Sequence, residues 1–171
     1  MEPGAPSDLV ELLRFRAERA KDRVAFTFLP DANEELNLTY GELDRQASAV
    51  ATLLQRHAEP GARVVLLYPP GLDYIAAFFG CLYGGFVAVP AYPPDPSRLN
   101  RTLPRLQAIV EDAQADIVIT TSAIFALTEG LSAFAPALGK RKWLTTDNIP
   151  AGTEGAWQRP RVRAESLAFL Q

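Results

Sequence analysis

Residues 63–94, RVVLLYPPGLDYIAAFFGCLYGGFVAVPAYPP, leave this chain little choice of fold class. Residues 63–68 form a short apolar, β-branched run with no polar alternation. That pattern suits a strand covered on both faces, as in a parallel sheet. Pro69-Pro70-Gly71 stops it, because the prolines offer no amide to a ladder and Gly71 permits a tight reversal. Residues 72–83 carry apolar side chains on every side, with Asp73 as the only charge. A helix of that kind is expected to be buried all round. Asp73 falls in the first turn, where the helix dipole favours a negative charge. Gly84-Gly85 ends the helix, since glycine takes the left-handed terminal conformation without a Cβ clash. Residues 86–89 read as a second buried strand, closed by Pro90. Two strands joined in this way run parallel. The expected fold is therefore α/β: a layered, mostly parallel sheet with helices on both faces.

The chain has 171 residues, 48% of them hydrophobic, which is enough for the core of one domain or of a large piece of a bigger one. A net charge of −3 gives no general electrostatic reason to bind nucleic acid or an anionic membrane. The single Cys81 lies in the apolar helix and reads as a core residue; one cysteine excludes an internal disulfide. The longest apolar stretch, 72–89, is broken by Gly84-Gly85 and flanked by prolines, so no membrane span is expected. The N-terminus lacks the basic-then-apolar pattern of a secretory signal. A soluble, cytoplasmic protein is expected.

Residues 1–7 are expected to be loose. Asp8 and Glu11 have capping-box spacing ahead of a helix reaching about Ala20. Residues 24–29 read as a strand, 30–35 as a polar turn and 36–38 as the other arm of a hairpin. Thr39 and Glu42 make a second capping box for a helix to about Arg56, with Leu43, Ala47, Val50, Leu53 and Leu54 on one face. The proline-dense stretch 90–96 must be extended. A third helix is expected over 103–114, with Pro104 in its first turn. Strands are expected at 116–120, 142–145 and 167–170, a helix at 123–134, and a surface loop at 146–163.

Chemistry-bearing patterns are sparse. His57, the one histidine, falls at an exposed helix end. No Cys/His/Asp/Glu cluster has metal-ligand spacing. There is no G-x-S-x-G elbow, no G-x-x-x-x-G-K-[ST] loop and no G-x-G-x-x-G. The small basic groups Arg98/Arg101/Arg105 and Lys140-Arg141-Lys142 read as solvated faces. The aromatic helix 72–83, with the prolines after it, reads first as core packing and second as the lining of a pocket for an apolar ligand.

Leu38-Thr39-Tyr40-Gly41-Glu42-Leu43 resembles the LTYxEL signature of adenylate-forming enzymes. The run LLYPPGLDYIAAFFGCLYGGFVAVPAYPP is similar to the version found in fatty acyl-AMP ligases, as are Arg105–Ile109 read as RLQAI, residues 116–121, and the closing LAFLQ. The resemblance covers residues 9–171. It implies ATP- and Mg²⁺-dependent activation of a fatty acid to an acyl-adenylate, followed by transfer to an acyl carrier protein. It also implies that residues 8–171 are the opening part of that family's large N-terminal domain. The family's phosphate-gripping loop would then fall just past Gln171. The segment alone is expected to be inactive, to hold neither ATP nor metal, and to contain no catalytic residue. The residues expected beside the acyl chain are Phe78, Phe79, Leu82 and Tyr83, with Tyr92 at the mouth; Gly71, Gly84 and Gly85 are expected to serve backbone geometry. An acyl-CoA ligase segment and a stand-alone acyl- or protein-binding module are the alternatives.

Overall fold

The computed structural model describes residues 6–128, 135–163 and 165–171. Asp8 caps helix α1 (Leu9–Ala20) by accepting from the Glu11 amide at 2.7 Å. Strands β1 (Val24–Asp31) and β2 (Glu34–Thr39) form an antiparallel hairpin. Helix α2 (Tyr40–Gln55) opens with the full capping box. Thr39 Oγ1 accepts from the Glu42 amide, and the Glu42 carboxylate accepts from the Thr39 amide at 2.9 Å. Then come β3 (Arg63–Leu67), α3 (Leu72–Gly84), β4 (Val87–Ala91), α4 (Leu99–Asp112), β5 (Ile117–Thr120), α5 (Ser122–Thr128), α6 (Pro136–Gly139) and β6 (Lys142–Thr145).

The four later strands make one parallel sheet in the order β4-β3-β5-β6. Its two faces are both covered. Val64, Leu66, Ala88, Ile117 and Ile119 pack against Val50 and Leu54 of α2 and Ala77 and Cys81 of α3. Val65, Leu67, Val89 and Val118 pack against Leu103, Leu106 and Val110 of α4 and Leu138 of α6. A third cluster joins Val10 and Leu13 of α1 and Leu38 of the hairpin to α2 and α3. This is the layered α/β architecture that the apolar, non-alternating strands require. No helix among the described residues is long and apolar enough to cross a membrane.

Several details depart from expectation. Pro90 does not close β4 but lies within it, opposite Leu66. The Val87 amide donates inward to Ala62, whereas the neighbouring Ala88 amide points outward. Two-residue alternation therefore puts the missing donor of Pro90 on the outer edge, where the β3 ladder does not need it. Helix α4 begins at Leu99, so Pro104 sits inside it rather than in its first turn. Pro104 and Asn100 are both exposed. Water can therefore reach the Asn100 carbonyl that lacks its helical partner. A short helix that was not expected, α6, opens at Pro136, whose fixed φ suits a first helical position. The helix expected at 123–134 is seen as α5, and residues 129–134 lie outside the described ones. Residues 153–156 of the expected loop form a 3-10 turn packed on α2. The closing strand is a single parallel bridge, Phe169 beside Ala88.

Helix α3 is not buried all round. Ala76, Ala77, Gly80, Cys81, Leu82 and Tyr83 are buried, but Leu72, Tyr74, Ile75, Phe78 and Phe79 are only half-buried. The fully apolar composition hid a helix with one core face and one flank turned outward.

Candidate functional site

The chain leaves β3 toward β4 on one side and reaches β5 on the other, so the strand order reverses between β3 and β5. In open α/β sheets, ligands bind outside the carboxyl ends of the strands at such a point. Here that rim is knitted by hydroxyls. Thr120 Oγ1 donates to the Leu67 carbonyl at 2.6 Å, tying β5 to β3. The Tyr68 hydroxyl shares a 2.7 Å hydrogen bond with Thr146 Oγ1. Burial pushes the Tyr68 phenol far up, so it stays protonated. Asp147 accepts from the Ser122 amide at 2.9 Å and from the Ser122 hydroxyl at 2.9 Å. Asp73, in the first turn of α3, has its carboxyl pKa raised by burial and then by Asp147.

From this rim an aromatic strip follows the outward flank of α3. Tyr74 and Phe78 are one helical turn apart, with ring centroids 6.3 Å apart. Phe78 meets Phe79 edge-on at 6.1 Å and Phe169 at 5.8 Å. Phe26 of the hairpin reaches Phe79 at 6.5 Å. Tyr92, 80% exposed, is close enough to Tyr74 to raise its phenol pKa, after burial as the larger cause.

The residues singled out from sequence therefore separate. Phe78 and Phe79 lie on the strip, and Tyr92 stands at its rim end. Leu82 and Tyr83 lie in the last turn of α3, inside the core. The Tyr83 hydroxyl donates to Asp44 at 2.7 Å, and its ring lies 5.3 Å from that of Trp157. Tyr74 follows the same i, i+4 spacing as Phe78 and was legible. Phe26 and Phe169 are distant in sequence, and no local pattern points to them. Of the glycines, Gly85 has φ +75° and caps α3 in the left-handed region. Gly84 leaves room for the Phe86 ring, 2.4 Å from where a Cβ would stand. Gly71 is different: its backbone is extended, and a Cβ there would meet nothing within 4 Å. A side chain would therefore find room at this position after β3.

Residues 13–171 match the family model described as AMP-binding enzyme. The chain belongs to the AMP-binding enzyme family. Over 167 residues it is 45% identical to the medium-chain-fatty-acid–[acyl-carrier-protein] ligase JamA of Moorena producens, covering 96% of this chain and 28% of that protein. It is 37% identical over 141 residues to Disco-interacting protein 2 of Drosophila melanogaster, covering 81% of this chain and 8% of that one. A fatty acyl-adenylate ligase from L. pneumophila, solved in complex with acyl adenylate and pyrophosphate, superposes with a TM-score of 0.83 at 35% identity, over 98% of this chain and 28% of its own. The chain thus corresponds to the N-terminal portion of adenylate-forming enzymes and spans well under a third of each of these relatives.

Family members handle ATP and Mg²⁺. The polar groups described above are hydroxyls already engaged with another hydroxyl, a backbone carbonyl or a carboxylate, and the carboxylates of Asp73 and Asp147. A triphosphate calls for cations or a run of free amides. Among the described residues no three His, Cys, Asp or Glu side chains stand together as metal ligands.

Proposed function

We propose that this chain is the N-terminal portion of a cytoplasmic fatty acyl-AMP ligase and supplies the apolar surface along which the acyl chain lies. The whole protein converts a fatty acid and ATP to acyl-adenylate and pyrophosphate, then passes the acyl group to a carrier-protein thiol, as on a polyketide assembly line. The 45% identity to an acyl-carrier-protein ligase over nearly the whole chain carries this reading. The arrangement of the aromatic side chains supports a division of labour. Phe78 and Phe79 offer aromatic surface to an alkyl chain, Tyr92 and Tyr74 stand at the entrance, and Leu82 and Tyr83 hold α3 in place from behind. The carboxylate end sits near the rim, and the phosphate grip comes from elsewhere in the whole protein, so this segment alone turns nothing over.

Pyrophosphate release with ATP, Mg²⁺ and octanoic to hexadecanoic acids tests the reading. The 171-residue chain should release none. A protein that continues past Gln171 through the relatives' length should release it and acylate a carrier protein in preference to coenzyme A. In that longer protein, Phe78→Ala should alter the chain-length profile. Release by the short chain, silence of the long one, or a strict coenzyme A requirement would each overturn part of the reading.

A further inference from the structure

Edge strand β6 leaves half of its backbone unused. The Lys142 amide donates to the Asp116 carbonyl and the Thr146 amide to the Thr120 carbonyl, both at 3.0 Å. Along a parallel ladder inward and outward amides alternate. The amides and carbonyls of Trp143 and Thr145 therefore point away from β5. Among the described residues no strand lies beyond β6 and no backbone group pairs with that outer side.

A groove of about 300 Å³ runs beside this edge, lined by Leu53, Arg56, Trp143, Leu144, Asn148 and Ile149 among others. Among the described residues no carboxylate lines it. Arg56 makes no ion pair among the described residues, although Glu154 lies one residue from the groove wall at Thr153. At the same end, Lys142 Nζ lies 3.3 Å from His57 Nδ1. Burial, Lys142 and Arg56 together lower the His57 pKa, as expected where cations gather without an acid. Arg56 and Lys142 thus place two cations at this end of β6 with no ion-pair partner among the described residues. An acidic side chain would be drawn to them.

We propose that β6 and its groove receive an extended peptide segment of a partner protein, which adds a strand to the sheet and sets an acidic side chain against Arg56. The backbone of Trp143 and Thr145 supplies the hydrogen bonds, Leu53 and Ile149 the apolar seat, and Arg56 the selection for a carboxylate. The site lies away from the aromatic strip and does not depend on what the strip binds.

A random heptapeptide library displayed on phage, selected against the 171-residue chain, tests this. The expected winners are extended sequences with an Asp or Glu among apolar residues. A synthetic winner should slow hydrogen exchange at the Trp143 and Thr145 amides, and Arg56→Glu should weaken it by about tenfold. Thr145→Pro removes an outward donor while sparing the β5 ladder, and should weaken binding too. Should that variant fail to fold, the exchange pattern and the surface change at Arg56 still decide. The proposal is overturned if no peptide enriches, if winners leave both amides unprotected, or if Arg56→Glu leaves affinity unchanged.

Discussion

At the residue scale, the glycines show how differently one residue type is used. Gly80 lets α3 settle on α2, since a Cβ there would stand 2.5 Å from Val50. Gly85 holds φ +75°, and its Cβ would stand 2.9 Å from Pro160. Gly80→Val and Gly85→Val should each cost about 1–3 kcal/mol in urea unfolding. Gly71→Ala should be neutral or stabilise by up to about 1 kcal/mol, because open space and an extended backbone accept a side chain. Sequence alone pointed equally to Gly71 and Gly85; only coordinates show what each Cβ would meet. Glu11 offers a pH test. The Ser7 amide, then the Ser7 hydroxyl and Arg159, lower its pKa from 4.5 to about 2. A depressed carboxyl pKa contributes stability above 4.5 that is lost as pH falls toward 2. Glu11→Gln should therefore lower the unfolding midpoint near neutrality, and the gap from the parent chain should close across that window.

At the scale of single elements, caps and periodicity were readable and edges were not. The Thr39–Glu42 box forms as the spacing requires, with both reciprocal bonds in place. Thr39→Ala should cost about 1 kcal/mol, seen as an earlier loss of helical circular dichroism on heating. A Ser replacement should restore most of it. Helix α3 was recognisable as a helix, but its composition concealed its orientation: with apolar residues on every side, nothing local told the core face from the outward flank. Pro90 misled in the same manner. A proline looks like a stop until the neighbouring strand shows which way its absent amide points.

At the scale of the whole molecule, the segment after β6 is a strap rather than a free loop. Arg159 bonds Glu11 at 2.7 Å and Asp8 at 3.2 Å, both at the start of α1. The Trp157 indole donates to the Tyr83 carbonyl at 2.9 Å, with the Arg14 guanidinium 4.7 Å from its ring centroid. Gln55 and Gln158 exchange two further hydrogen bonds. The strap leads to Phe169, which extends the sheet beside Ala88 and completes the aromatic strip. Arg159→Ala should shift Trp157 emission to the red and speed hydrogen exchange at Leu170, whose amide bonds the Ala88 carbonyl. High salt should do the same in milder form, since the Arg159 pairs are partly exposed.

The sequence by itself determined the layer type, most of the elements up to β6 and the family, because these rest on local hydrophobic period, caps and a long contiguous run. Tertiary structure decided which flank of α3 faces outward, that Phe26 and Phe169 join Phe78 and Phe79, that Tyr83 is held inside by Asp44, and that β6 stands outermost among the described strands of its sheet. Those facts depend on contacts between residues far apart in the chain, and a one-dimensional pattern carries no record of which distant partner a surface will meet.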